Sequence, residues 1–252
     1  MEERPTMRVN EIFLSIQGEG KYVGQPCIFI RLAGCNLRCS YCDTVYSQED
    51  DQGKEMKINE VIDEVYELLP EFIDRAAFHI EFTGGEPMLQ WDAIKALMDE
   101  YGKPFDFTIE TNGSIELPEP ANEGYRFGNY EFVMDMKCPS SGMSDKMIRE
   151  NVHRLLGKDQ LKFVIGSQED FDWALEVIDE IDTRKPLNMY SIGRSNYPRI
   201  LFSPVFGQIE PEKLVEMMLE QFKSFKGLKK GLRARLSLQI HKLIWEPNKR
   251  GV

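Results

Sequence analysis

The chain has 252 residues, 42% hydrophobic and 29% charged, which is enough to bury a full core and is compatible with one barrel-like domain spanning 1–252. Counting 31 Lys and Arg against 42 Asp and Glu gives a formal charge of −11; this excludes a surface built to neutralise a nucleic-acid backbone and favours a small-molecule partner. No run approaches the roughly 20 consecutive apolar residues of a membrane span, and the charged opening MEERPTMRVN lacks the apolar run of a signal peptide, so a cytoplasmic protein without a membrane partner is expected.

In chain order, Val9–Ile16 is predicted as a strand ending in the glycine-rich turn Gln17-Gly18-Glu19-Gly20, and Cys27–Ala33 as a second strand running into a cysteine-rich loop. Apolar residues at Ile58, Val61, Ile62, Val65, Leu68, Leu69 and Phe72 follow the helical period. A short strand at Phe78–Phe82 closes on Thr83-Gly84-Gly85-Glu86-Pro87. A helix over Ile94, Leu97, Met98 and Tyr101 is followed by strands at Phe105–Glu110 and Glu131–Met136 and by a helix opening near Ser144. Next come a strand at Leu161–Ile165, a helix capped by Ser167-x-x-Asp170, a strand at Arg199–Phe202, a helix with Pro211 in its first turn, and a strand at Ala234–Gln239. Strands alternating with helices imply a parallel sheet. Six or so such units, with unusual residues at strand ends, predict a complete or partial β/α barrel with its site at the C-terminal rim; a doubly wound open sheet is the alternative. Residues 116–129 are Pro/Gly-rich and are expected to form a surface excursion.

Three of the five cysteines, Cys35, Cys39 and Cys42, fall within eight residues, a distribution unlike a disulfide framework. A C-x-x-x-C-x-x-C loop can place three thiolates around one iron–sulfur cubane, whereas full protein ligation of a four-iron cluster takes a fourth. One iron is then left open to bind and activate a ligand. The alternative is a structural zinc site completed by a distant residue such as Cys138 or a histidine. Cys27, inside an apolar strand, reads as a core residue.

GCNLRCSYCDT resembles the signature of the radical S-adenosylmethionine (SAM) superfamily, and Thr83-Gly84-Gly85-Glu86-Pro87 resembles that superfamily's second motif. The flanking segments FLSIQGEG (13–20), FIRLAGCNL (29–37), ETNG (110–113), DMKCPSSG (135–142) and LQIHK (238–242) resemble the 7-carboxy-7-deazaguanine synthase family over almost the whole chain. The resemblance implies a partial or modified (β/α)6 TIM-like barrel of the radical SAM type. It also implies conversion of 6-carboxy-5,6,7,8-tetrahydropterin to 7-carboxy-7-deazaguanine with loss of ammonia, a lyase step towards 7-deazaguanine (queuosine or archaeosine) nucleosides of tRNA. SAM would act as a recycled cofactor whose 5′-deoxyadenosyl radical takes a hydrogen from the pterin and later returns it.

By motif position the resemblance implies a 4Fe-4S cluster on Cys35, Cys39 and Cys42, and magnesium on the Thr44 hydroxyl. SAM would meet Tyr41, Cys42, Asp43, Gly85, Glu86, Lys137, Pro139, Ser140 and Ser203. The pterin would meet Ile16, Gln17, Gly18, Arg31, Thr83 and His241, within a C-terminal substrate segment at 234–252. Arginine suits that task because its planar fork grips a carboxylate in two bonds. Short family members stop near the position of Pro247, whereas this chain continues through Asn248–Val252. A flavodoxin or ferredoxin as electron donor and a homodimer are also implied. A glycyl-radical activating enzyme, which shares the cysteine and GGE motifs but acts on a protein partner, is the second enzymatic reading. The basic stretch Lys223, Lys226, Lys229, Lys230, Arg233 and Arg235 reads as a solvated face or dimer rim in so acidic a protein.

Overall fold

The computed structural model describes residues 4–69, 78–103, 105–119, 130–183, 197–223 and 232–252. Strand β1 (Thr6–Ile16) pairs antiparallel with β2 (Pro26–Leu32), Phe13 opposite Phe29, and β3 (Lys54–Lys57) lies antiparallel on the outer side of β1. From β2 the strands run parallel through β4 (His79–Gly84), β5 (Asp106–Thr111), β6 (Tyr130–Asp135), β7 (Gln160–Ile165), β8 (Arg199–Pro204) and β9 (Arg233–Leu236). The order β3-β1-β2-β4-β5-β6-β7-β8-β9 has no reversal along its parallel part. A doubly wound sheet reverses at a switch point; this one winds in a single direction, as a partial barrel does.

The pleat gives the sheet two unlike faces. Ile28, Ile30, Ile80, Phe82, Ile109, Phe132, Phe163 and Phe202 belong to one buried apolar core with residues of the helices. The intervening positions on the other face carry His79, Glu81, Thr83, Thr108, Glu131, Gln160 and Lys162, all buried. The apolar face drives folding; the polar face builds the site.

Helix α1 (Ile58–Leu68) buries Ile58, Val61, Ile62 and Val65, the i, i+3, i+4, i+7 set that forms one helical stripe. Its first turn is closed by Glu60, whose carboxylate accepts the Lys57 N–H at 2.8 Å. α2 (Trp91–Tyr101) buries Ala93, Ile94 and Leu97, and α4 (Pro211–Lys223) buries Leu214, Met217 and Met218. α3 (Gln168–Thr183) starts as expected from Ser167, whose hydroxyl accepts the Asp170 N–H at 3.2 Å.

Several expectations are corrected. No α-helix opens near Ser144; the β6 to β7 connection consists of short 3-10 turns at Pro139–Ser141, Ser144–Lys146 and Arg149–His153. Gly142 has φ 72°, and the Asn151 amide donates to the carbonyls of Gly113 (3.1 Å) and Ile115 (2.7 Å), so the backbone is pinned across the end of β5 instead of coiling. The strand predicted at Ala234–Gln239 ends at Leu236, after which the chain turns inward and the Ile240 N–H reaches the Gly18 carbonyl at 3.1 Å. β3 was not anticipated. In the 116–129 stretch, Leu117 is buried and its N–H donates to Asn151 at 2.9 Å, while residues 120–129 lie outside the described residues, as do Phe72, Lys226, Lys229 and Lys230.

Phe163 lies between the rings of Phe202 (6.0 Å) and Trp173 (6.4 Å) and is fully buried. Phe163→Ala is expected to cost about 3–5 kcal/mol, seen as a lower urea midpoint with an unchanged slope.

Candidate functional site

The cysteine loop is fastened before it is functional. The Gly34 and Cys35 N–H groups donate to the carbonyls of Ser47 (2.9 Å) and Gln48 (2.8 Å), and the Gly34 carbonyl accepts the Glu86 N–H at 2.8 Å. On its far side, the Ser40 N–H donates to the Ser141 carbonyl (3.0 Å) and the Ser40 hydroxyl to the Ser140 carbonyl (2.6 Å). The Asn112 amide, just past β5, donates to Asn36 Oδ1 of the loop (3.0 Å) and lies 3.9 Å from Cys35 Sγ. Cys35, Cys39 and Cys42 all remain partly accessible and line one cavity of ≈ 730 Å3.

Burial pushes the Cys35 thiol up and the Cys39 thiol up to about 11, and mutual repulsion between the thiolates adds to this. A bound cationic cluster inverts that logic by taking the sulfurs as thiolates. Cys138 cannot complete a fourth position: it is fully buried, away from the cavity lining, with its thiol 3.7 Å from the Met136 carbonyl. Cys27 is likewise a buried core residue. Tyr41 Oη and Asp135 Oδ1, buried polar atoms of cavity-lining residues, have no hydrogen-bond partner among the described residues, as a wall awaiting a polar ligand would show.

The GGEP turn packs against the cysteine loop so tightly that a Cβ at Gly85 would overlap the Gly34 carbonyl. Glu86 is completely buried and already accepts three hydrogen bonds, from Met88 N–H (2.9 Å), Thr111 Oγ1 (2.7 Å) and Asn112 N–H (2.6 Å). Its carboxylate thus ties the turn to the end of β5, with one acceptor position left on Oε2 for a cofactor.

At the opposite end, residues 17–22 plug the barrel interior. The Gln17 amide donates to Glu81 and its oxygen accepts the Glu19 N–H at 2.9 Å. Glu19 pairs with Lys162 at 2.5 Å, Lys21 pairs with Glu131, and the Tyr22 ring lies 4.2 Å from that of His79, which burial pushes down to about 4 and keeps neutral. A Cβ at Gly18 would overlap His241 Nδ1, so only glycine lets the imidazole lie on this backbone. Burial also lowers the His241 pKa.

The acidic residues of this interior were not singled out in the sequence. Glu81 is driven well above the ordinary carboxylate range by burial and by Glu110 and Glu19; Glu110 is raised by burial; Glu19 is lowered, against its burial, by Lys162. The signal for them was a charge at alternate positions of otherwise apolar strands: HIEFTG, DFTIET, YEFVMD, QLKFVI.

Of the residues assigned from the motifs, Ile16, Gln17, Gly18, Arg31, Tyr41, Asp43, Thr44, Thr83, Gly85, Glu86, Lys137, His241 and the three cysteines all line this cavity. Arg31 Nε donates to Glu11 at 2.7 Å, leaving its terminal nitrogens without a hydrogen-bond partner among the described residues. Thr83 Oγ1 donates to Glu110 at 3.0 Å. Lys137 pairs with Asp135 at 2.7 Å, and Asp43 with Lys242 at 2.6 Å. Pro139, Ser140 and Ser203 lie off the lining. Ser140 is engaged instead with Asp170, which accepts its N–H at 2.8 Å, and Ser203 is buried within β8.

Residues 29–123 match the family model of the Radical SAM superfamily. A 7-carboxy-7-deazaguanine synthase of Clostridium acetobutylicum is 38% identical over 248 residues, covering 97% of this chain and 99% of the relative. The chain belongs to the 7-carboxy-7-deazaguanine synthase family. A 7-carboxy-7-deazaguanine synthase of Chlorobaculum tepidum is 33% identical over 100% of both chains, and one of Koribacter versatilis 31% identical over 98% of this chain and 100% of the relative. The crystal structure of QueE from Escherichia coli, at 22% identity, shares the fold with a TM-score of 0.64, covering 93% of this chain and 94% of that one.

The raised Glu81 carboxyl gives this member of the 7-carboxy-7-deazaguanine synthase family a pH signature. An acid whose folded pKa exceeds its unfolded value of 4.5 contributes stability that is fully present below that value and is lost as pH rises through the folded pKa. Glu81→Gln removes the ionisation while keeping an acceptor for Gln17. The melting temperature of the variant, relative to the parent, is therefore expected to rise as the pH is raised above the ordinary carboxylate range.

Proposed function

We propose that this protein converts 6-carboxy-5,6,7,8-tetrahydropterin to 7-carboxy-7-deazaguanine, releasing ammonia, on the way to 7-deazaguanine nucleosides. The observation that carries the reading is that one cavity holds both the three accessible cysteines and, across from them, Arg31, Gly18 and His241. A 4Fe-4S cluster on Cys35, Cys39 and Cys42 together with SAM supplies, when bound, a one-electron reduction that opens radical chemistry at carbon.

The chain's own residues then bind, orient and handle protons. Tyr41, Asp43 and the backbone around Gly85 wall the cysteine end, with Asp135 and Lys137 beside them. Arg31 offers its two terminal nitrogens to the substrate carboxylate, and charge-assisted pairing of this kind fixes orientation as well as affinity. His241 lying on the Gly18 backbone suits a planar ring more than a protein loop, which separates this reading from activation of a protein partner. Glu110 lines the cavity with its proton held above the ordinary carboxylate range, an acid suited to protonating the departing nitrogen. For magnesium, Thr44 and Asp43 supply oxygen donors on the cavity wall, and a hard cation that keeps several waters needs few more from the protein. The same reading takes in one domain over 1–252, a flavodoxin or ferredoxin as electron donor, a homodimer and a cytoplasmic setting.

Anaerobically reconstituted protein given SAM, a reductant, magnesium and the carboxytetrahydropterin is expected to form 7-carboxy-7-deazaguanine by mass spectrometry, with SAM regenerated. An unchanged pterin overturns the reading. Arg31→Ala is expected to raise the pterin KM about 10- to 100-fold, the loss of a charge-assisted pair, with the cluster absorbance unchanged.

A further inference from the structure

Beyond Pro247 the chain does not trail into solvent. Residues 247–252 line the same cavity as Arg31 and His241. The Arg250 guanidinium lies 3.7 Å from the Tyr46 ring centroid and donates to Asn10 Oδ1 at 3.1 Å. That landing place is built independently of the tail: the Asn10 amide also donates to the carbonyls of Tyr46 (3.0 Å) and Gln52 (2.6 Å), fixing its oxygen and the ring together. From Tyr46 the contacts lead to the substrate end. The Tyr46 hydroxyl donates to Glu11 Oε1 at 3.3 Å, the oxygen that also accepts Arg31 Nε at 2.7 Å, and the Arg31 guanidinium lies 5.7 Å from the Tyr46 ring.

We propose that Arg250 is a positioning residue: it straps residues 247–252 across the substrate end of the cavity and, through Tyr46 and Glu11, holds Arg31 in place for an anionic substrate. This rests on the reading that Arg31 takes the substrate carboxylate. The electrostatics couple strap and substrate. Two guanidinium groups share the neighbourhood of one ring, and Glu11 supplies one compensating charge. An anion bound to Arg31 supplies the second, relieving the repulsion that works against Arg250 docking. By linkage, a substrate that favours the docked strap is itself bound more tightly when the strap is docked. A cation over a half-buried aromatic ring with one hydrogen bond is a modest hold, so the strap is able to exchange as substrate enters.

The strap is read directly by trypsin, because Lys249 and Arg250 are both exposed. In the parent, cleavage after Lys249, followed by intact mass, is expected to slow several-fold when the carboxytetrahydropterin is added. In Arg250→Ala the cleavage is fast with or without it, the pterin KM rises about tenfold and kcat stays within about twofold, the pattern of lost binding without lost chemistry. Arg250→Lys, which keeps a cation over Tyr46, recovers part of the protection, and Tyr46→Leu reproduces Arg250→Ala. A parent that converts the pterin while Arg250→Ala keeps the parent's KM and protection overturns the strap alone. A parent that neither binds nor converts the pterin overturns the functional reading, and the strap proposal with it.

Discussion

The ion pair between Glu19 and Lys162, 2.5 Å apart inside the barrel, is the constraint on which the rest of the site depends. Lys162 is buried beside the interior acids, and it is held well above its ordinary pKa, despite burial, by Glu19, Glu110 and Asp135. Taking these groups out of water is costly, and the arrangement survives only because each has a partner or keeps a proton. Glu19 stays ionised against Lys162, while Glu81 and Glu110 are pushed towards the neutral acid. Losing one member of such a set leaves charge uncompensated, which typically costs about 3–5 kcal/mol. The pair also has a mechanical consequence. It ties residues 17–22 to β7, and that segment becomes the floor on which Gly18 and His241 meet.

The two ends of the cavity are stiffened by different means. At the cysteine end the work is done by backbone: carbonyls of Ser47, Gln48 and Ser141 and the Gly34 carbonyl against Glu86 N–H hold a loop with no regular structure of its own. At the substrate end it is done by side chains, with Gln17 on Glu81 and Arg31 on Glu11. The first arrangement leaves the thiols accessible while immobilising the chain between them. The second leaves donors, notably the terminal nitrogens of Arg31, directed at whatever enters. The outer apolar face of the sheet, packed on the helices, provides the rigidity both need.

Much of this was legible in the sequence, for physical reasons that can be named. The helical stripe of Ile58, Val61, Ile62 and Val65, the Ser167 cap and the Cys35-Cys39-Cys42 spacing are local features, and local chemistry decides them. The β6 to β7 connection was misread because a long-range bond set, Asn151 to the end of β5, overrides a weak helical pattern. β3 was missed because four residues on a sheet edge carry almost no periodicity. The buried acids escaped notice for another reason: a charge at alternate positions of a strand is the pattern of a sheet with one face in water, and only the curvature of the sheet into a barrel turns the face of Glu81 and Glu110 inward. Pro139, Ser140 and Ser203 were placed by motif position, which does not say which way a side chain turns; Ser140 turns to the start of α3.

The most direct test of the account is pterin binding by Lys162→Met, measured anaerobically on reconstituted protein beside the parent. The iron–sulfur absorbance and SAM binding are expected to persist, since the cysteine end is fastened separately, while pterin affinity collapses as the 17–22 floor is released. A variant that binds the pterin as tightly as the parent would contradict this.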